Sequence, residues 1–469
     1  MSLRLFRGLL KGSVTPRNIP NSAKKSAAAF WQTPHFSTTA KMSSVGGAGL
    51  GAGLYAVVSN PSQVLSQPEE AAAKAHHLKN GKGFTNPWES YTELTPFTML
   101  WGLFMYVSPS SLLCISTNAP RRRKITGQMN KPDTTPPTVP VRTPNFLPTR
   151  DTPKLRATWL GHACYYVEFP GGLRVLFDPV FEDCCAPINM KSLKRFTPPP
   201  CELEDLPAVD VVVISHNHYD HLSYPTIQRL QKRFPDAHYF APLGNKAWFD
   251  KCGVENMTEL DWWESRDVKL DTVKSDDSSA RTGSISITKS EAGGVVKGGI
   301  HATFGALPCQ HVSARGPFDK CKTLWASWSV SSGGATVYFA GDTGYRTVPD
   351  LPKGTDDYAA EYAHLPVCPA FKHIGEHRGP FDLGLIPIGA YEPRWVFSNV
   401  HADPKDAVNI FVDTKCRRGL GMHWGTWVLT EEDVLEPPRK LKEALKWRGI
   451  EEGRFGVTEI GESVEVESR

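Results

Sequence analysis

Val211-Val212-Val213-Ile214-Ser215-His216-Asn217-His218-Tyr219-Asp220-His221 is the stretch on which the reading of this chain turns. A β-branched apolar run ends abruptly in three histidines and one aspartate within six residues. The run has the character of a buried strand. The polar cluster therefore sits on the loop leaving a strand end, where several side chains can converge on one point, as a metal requires. Imidazole and carboxylate donors together suit zinc or a similar borderline ion. The alternative is a solvated turn that happens to be rich in histidine. A chance His-x-His-x-Asp-His directly behind a buried strand is the less economical reading.

The pattern resembles the signature of the metallo-β-lactamase superfamily. There the first two histidines hold one metal, and the aspartate and third histidine hold a second. The resemblance implies three further ligands downstream, each at a strand end, and candidates follow in order. His311 closes Leu307-Pro308-Cys309-Gln310-His311, and Asp342 follows Val337-Tyr338-Phe339-Ala340-Gly341. His423 follows Gly419-Leu420-Gly421-Met422. Each alone is weak, because a lone histidine is more often structural; the set in order is strong.

Working outward, 156–160, 164–169 and 173–177 read as strands separated by glycine turns. Asp178 ends the third, where it either orients a metal-bound imidazole or is a plain turn carboxylate. Strands are expected at 209–215, 238–241, 300–307, 324–330, 336–340, 383–387 and 419–422. Helices are expected at 224–234, 245–252, 403–413 and 438–445. Strands alternating with helices, with candidate ligands at strand ends, predict an α/β fold of two packed sheets with outer helices. That matches the αββα sandwich implied by the superfamily resemblance. Residues 271–300, rich in Ser, Gly and Lys, and 349–366 read as insertions.

At 469 residues the chain can bury a large core. Its formal charge of +4 is unevenly spread: residues 1–68 hold seven Lys or Arg and no Asp or Glu. The remainder has 46 basic and 49 acidic residues, so the body gives no case for a nucleic-acid partner. Ten cysteines are scattered without a Cys-x-x-Cys, which argues against a secreted disulfide framework and against thiol ligation of zinc.

Residues 1–42 read as a mitochondrial transit peptide, basic, rich in Ser and Ala, and able to form an amphipathic helix at 3–11; a plain basic tail is the alternative. Residues 43–93 read as a linker. Residues 94–124 read as a membrane-associating segment, with an apolar stretch at 94–115 followed by Arg121-Arg122-Arg123-Lys124. Span, interfacial insertion and buried helix all stand open for it. Residues 125–153 are a Pro/Thr-rich linker, and 154–469 the catalytic domain.

A closer resemblance rests on several motifs. They are 215–222, Leu260-Asp261-Trp262-Trp263 with its flanking glutamates, Phe339-Ala340-Gly341-Asp342-Thr343-Gly344-Tyr345, and Met422-His423-Trp424-Gly425-Thr426. The most specific is Gly389-Ala390-Tyr391-Glu392-Pro393-Arg394-Trp395, and Gly83-Phe84-Thr85-Asn86-Pro87-Trp88 forms an upstream island. Together they resemble the N-acyl-phosphatidylethanolamine-hydrolysing phospholipase D family. That resemblance implies a membrane-associated phosphodiesterase with two Zn2+ per chain, a phospholipid substrate and a homodimer; with the transit-peptide reading of 1–42, the expected location is the mitochondrion, in association with its inner membrane. It implies that His216, His218 and His311 bind one zinc, that Asp220, His221 and His423 bind the other, and that Asp342 bridges them. Asp220, Asp342 and His401 would be the catalytic residues. Tyr219 is a candidate to hydrogen-bond substrate or else packs under the loop. His401 is a candidate for the lipid headgroup or proton transfer, or else merely enters a helix. Arg394 and Trp395 either shape the pocket rim or pack, and packing is the preferred reading. Asp rather than Cys at 342 weighs against lactam hydrolysis. Two other readings remain: hydrolysis of a lactone or thioester on the same fold, and an inactive lipid-binding scaffold.

Overall fold

The expected strands and helices are present with small shifts in their bounds, and further strands and helices join them. In the computed structural model the described residues are 54–93, 132–187, 193–272, 299–352 and 354–468. In chain order the strands are β1 (Leu54–Ser59), β2 (Leu155–Gly161), β3 (Cys164–Glu168), β4 (Arg174–Phe177), β5 (Val211–Val213), β6 (His238–Pro242), β7 (Met257–Leu260) and β8 (Ser265–Thr272). There follow β9 (Ile300–Leu307), β10 (Ser327–Ser332), β11 (Ala335–Phe339), β12 (Leu383–Pro387), β13 (Arg418–Met422), β14 (Phe455–Gly456) and β15 (Ser463–Val466). The helices are α1 (Tyr224–Arg233), α2 (Lys246–Lys251), α3 (Ala370–His377), α4 (Arg394–Phe397), α5 (Pro404–Asp413) and α6 (Glu436–Arg448).

One sheet runs β15-β2-β3-β4-β5-β6-β7 and the other β1-β8-β9-β10-β11-β12-β13-β14. The first is antiparallel from β15 to β4 and parallel from β4 to β7. The second is antiparallel from β1 to β11 and parallel from β11 to β14. This order has a direct consequence for the site. β2, β4 and β5 all point the same way within the first sheet, and β9, β11 and β13 do so within the second. Within each sheet, the loops that leave these strands therefore open at one edge.

The three valines of β5 show how the layers form. Val211 and Val213 lie in the core between the sheets with Trp159, Phe177, Phe304 and Trp328. Val212 turns to the outer face, among Ile227 and Leu230 of α1. A strand covered on both faces reads as a continuous apolar run, which is why no alternation was visible there. Helix α1 starts where Ser223 accepts a hydrogen bond from the Thr226 amide, with a proline in its first turn. Helix α5 is capped reciprocally by Asp403 and Asp406.

The linker expected over 43–93 needs correction in its described part. β1 extends the eight-stranded sheet by pairing with β8. Further on, His76 Nε2 lies 2.6 Å and His77 Nε2 2.8 Å from the two oxygens of Asp261, and Lys74 Nζ 2.9 Å from one of them. Trp88 stacks on Trp262 at 5.3 Å. This segment is held by hydrogen bonds and isolated ring contacts, which leave no hydrophobic period to read. Residues 132–153 are irregular, as expected of the Pro/Thr-rich stretch, but are anchored by a buried Arg150–Asp210 ion pair. Residues 1–42, all of 94–124 and 273–298 lie outside the described residues. Among the described residues no helix is long and apolar enough to cross a membrane.

The Asp261 hub makes the attachment of 74–93 sensitive to acid. Burial opposes ionisation of Asp261, but hydrogen bonds from His76 and Lys74 outweigh it and hold the carboxyl below its usual range. Burial also lowers the His76 pKa despite Asp261. A histidine with a lowered folded pKa contributes stability above its unfolded value, about 6.5, and loses it as pH falls through that value. The Asp261 contribution is lost further down, below its unfolded pKa of about 4. Protease cleavage within 60–93 is therefore expected to rise severalfold from pH 7.5 to pH 5. A pH-independent cleavage rate would contradict this.

Candidate metal centre

The seven residues expected as ligands converge. Asp342 Oδ2 is the centre: His221 Nε2 and His423 Nε2 each lie 3.0 Å from it. His216 Nε2, His311 Nε2 and His401 Nδ1 each lie 3.9 Å from it. On one side, His216 Nε2 and His311 Nε2 stand 2.8 and 3.3 Å from His218 Nδ1. On the other, Asp220 Oδ2 is 3.4 Å from His221 Nε2 and 3.5 Å from His423 Nε2. Two groups of donors thus flank one carboxylate.

Local backbone explains the convergence. Gly341 has φ +59°, and a Cβ there would lie 2.6 Å from Ser215 Cβ. Only glycine lets the Asp342 turn come this close to the histidine loop. His162, Asp178 and His423, at the ends of β2, β4 and β13, also have positive φ, at 51°, 37° and 62°. Such backbone is uncommon outside glycine and gathers at functional sites.

The outward ring nitrogens are tied down, which turns the inward ones to the centre. His221 Nδ1 is 2.7 Å from Asp178 Oδ2, and Asp178 Oδ1 accepts from the Ser215 amide at 2.7 Å. His216 Nδ1 is 2.9 Å from Ser215 Oγ. His311 Nδ1 is 2.9 Å from the Val400 carbonyl. Outer partners of this kind fix tautomer and ring orientation at metal sites.

The electrostatics divide the cluster. Burial, reinforced by neighbouring histidines, holds His216 well below the usual value. Burial does the same for His311 against the pull of Asp342. Both are neutral imidazoles, the form that binds metal. Burial also opposes charge on His221 and His423, but the Asp342 and Asp220 carboxylates prevail. They raise His221 well above its usual value and His423 to about 9. The carboxylates attract positive charge, and a metal ion there would displace those protons.

The donor set fits a divalent ion. Asp342 Oδ1, His221 Nε2, His401 Nδ1 and both ring nitrogens of His423 are buried without a hydrogen-bond partner. Unsatisfied buried polar atoms are rare in folded proteins. Five imidazoles and two carboxylates gathered at one place, with some of their atoms left without a partner, are donors that a borderline metal ion would use.

A family profile described as "Beta-lactamase superfamily domain" matches residues 173–424. A relative from Caenorhabditis elegans, "N-acyl-phosphatidylethanolamine-hydrolyzing phospholipase D 1", is 33% identical over 402 residues, covering 84% of this chain and 96% of its own. The chain belongs to the N-acyl-phosphatidylethanolamine-hydrolysing phospholipase D family. It is a hydrolase with the metallo-β-lactamase fold. A second relative of this phospholipase D family, named as mitochondrial and from Saccharomyces cerevisiae, is 32% identical over 310 residues, covering 65% of this chain and 55% of its own. Among solved structures, a metallo hydrolase from Ignicoccus hospitalis matches at 19% identity and a TM-score of 0.40, covering 67% of this chain and 100% of that one.

Two of the remaining expected residues are placed differently. His401 enters the cluster: its ring stacks on His423 at 5.2 Å, and burial lowers its pKa to about 4. Tyr219 faces the 313–321 loop. Its hydroxyl donates to the Arg315 carbonyl at 3.1 Å, and the Arg315 guanidinium lies 4.0 Å over its ring. Arg315 in turn donates to the carbonyls of Asn217 and Leu222, bracing the histidine loop from outside.

His162 was missed by sequence reasoning. Its Nε2 lies 2.9 Å from Asp220 Oδ2, and its carbonyl accepts from the His423 amide at 3.0 Å. It thus joins two ligand-bearing loops and fixes the Asp220 carboxylate. The available signal was its place: it follows β2 directly, at a strand end like every other member of the set.

Proposed function

We propose that this hydrolase is a dinuclear, zinc-dependent phospholipase D that cleaves N-acyl-phosphatidylethanolamine to an N-acylethanolamine and phosphatidic acid. The observation that carries the reading is Asp342 Oδ2, central to two groups of histidines with its partner oxygen unspent. His216, His218 and His311 would hold one ion, Asp220, His221 and His423 the other, with Asp342 between them. Bound there, the metal pair supplies Lewis acidity toward phosphoryl oxygens and a water acidic enough to act near neutral pH.

The chain's own residues do the rest. His162 and Asp178 hold Asp220 and His221 in orientation, so that little reorganisation accompanies reaction. His401 presents an unpartnered Nδ1 to the centre; as a neutral imidazole it is the group proposed to hydrogen-bond the substrate phosphate, take up the proton that the attacking water gives up and pass it to the departing alkoxide. Tyr219 sets the rim through Arg315. The substrate class rests on the family and on Asp342, whose carboxylate makes a harder bridge than a thiolate and suits phosphate oxygens. The basic N-terminal sequence and the yeast relative's name support a mitochondrial location, with 94–124 bringing the enzyme to its lipid. A fluorescent fusion with and without residues 1–42 tests the location, and light scattering in detergent tests the expected homodimer.

Product identification is the decisive test. Purified full-length protein given N-acyl-phosphatidylethanolamine in detergent should release N-acylethanolamine and phosphatidic acid, seen by mass spectrometry. Asp342→Asn should release neither. No lipid product from folded, zinc-loaded enzyme would defeat the reading and direct attention to lactones and thioesters.

A further inference from the structure

We propose that Asn86 and Ser90 are positioning residues of the metal centre, although they lie more than 200 residues from the His311 loop in sequence. The proposal rests on the metal-site reading above. Asn86 Nδ2 donates to the carbonyl of His311 itself at 2.8 Å. Ser90 Oγ donates to Gln310 Oε1 at 2.6 Å. All four residues are buried.

Gln310 carries the contact onward. Its Nε2 donates to the Asn399 carbonyl at 3.0 Å, and its own carbonyl accepts from the Gly344 amide at 2.8 Å. The next residue after Asn399 is Val400, whose carbonyl holds His311 Nδ1. The strap also reaches the other loops directly. The Thr347 amide donates to the Ser90 carbonyl, and the Asn399 side chain donates to the Thr92 carbonyl, both at 2.9 Å. Residues 86–92 thus staple three loops together, those that carry His311, Asp342 and His401.

His311 gains most from this. Its backbone is held by Asn86, and its ring by a carbonyl whose own loop is tied to the strap. The strap is itself seated closely: Gly83 has φ +153°, a Cβ there would lie 2.4 Å from the Cys321 carbonyl, and the Phe84 amide donates to that same oxygen at 2.8 Å. The upstream island from Gly83 to Trp88 therefore has a physical role at a site it does not enter. It fixes one ligand's direction, as outer partners of metal ligands do.

The test is zinc release. Full-length wild type, Asn86→Ala, Ser90→Ala and a Lys79→Ala control in the same segment are loaded with zinc in detergent and mixed with a chromophoric chelator. Lys79 is exposed and outside the network. The two strap variants should release one zinc about 10–100-fold faster than wild type. Their kcat should fall with KM little changed, and excess zinc should restore it; loss of packing alone would not be rescued by zinc. Ser90→Ala removes a single hydroxyl and carries the test if Asn86→Ala does not fold. Release at the wild-type rate from both folded variants would overturn the proposal. A folded wild type that binds no zinc would overturn the metal reading, and this inference with it.

Discussion

Asp342→Asn is expected to lose metal and to lower lipid hydrolysis by about 10³-fold, the loss of roughly 4 kcal/mol of transition-state stabilisation. The size of the effect follows from where the residue sits. Its Oδ2 is within 3.0 Å of ring nitrogens from two loops and 3.9 Å of three more. The amide removes the negative charge that gathers cations there and offers one oxygen in place of two. Burial disfavours a charged Asp342, yet His221 and His423 hold its carboxyl well below the usual range. The site is built around that charge. Metal content by mass spectrometry and turnover of N-acyl-phosphatidylethanolamine should fall together, with the fold intact by circular dichroism. A variant that keeps its metal and wild-type turnover would show that Asp342 is not needed to hold it.

Arg394→Met is expected to cost about 3–5 kcal/mol of stability, as breaking a buried ion pair on one side does. Arg394 Nε lies 2.9 Å from Asp357 Oδ2, and Nη2 lies 2.8 Å from Asp406 Oδ2; Asp403 Oδ2 stands at 4.0 Å. One guanidinium therefore balances three carboxylates. Burial, with Asp403 and Asp357 alongside, already pushes Asp406 up to about 7 against the pull of Arg394. Without the cation, the folded state would bind protons more tightly than the unfolded chain. The sign then follows: the destabilisation grows as pH rises and shrinks toward pH 5. Arg394→Lys should recover only part of the loss, because an ammonium cannot span the positions a planar fork reaches. Urea unfolding at pH 5 and pH 8 reads both effects. Equal loss at the two pH values would mean that the carboxylates do not depend on Arg394. Activity should fall as well, since Asp403 and Asp406 cap α5, which begins shortly after His401.

The Arg394 network shows why a family-specific run is not always part of the chemistry. Arg394 and Trp395, at the end of that run, read as packing from sequence, and Arg394 packs, but as the centre of an ion network. Its partner Asp357 belongs to the stretch 349–366, which reads as an insertion. Nothing in either segment alone announces the other.

What the sequence determined by itself was whatever local order can express. Val211 to Val213 followed by the histidine loop specifies a strand and a metal-competent turn, since both depend on neighbours a few residues apart. The strand ends at Leu307, Phe339 and Met422 locate His311, Asp342 and His423 for the same reason, once the superfamily pattern asks for them. The helix start at Asp403-Pro404 is legible because capping is a matter of three residues. Only the tertiary structure decided which strand ends meet. The turn of β2 through β4, and of β9 through β11, gives the ligand-bearing strands of each sheet a common direction and brings His162 to Asp220. It also placed Asn86 against His311 and His76 against Asp261. These attachments are single hydrogen bonds between distant segments, and a hydrogen bond, unlike a buried face, imposes no period on the sequence that makes it.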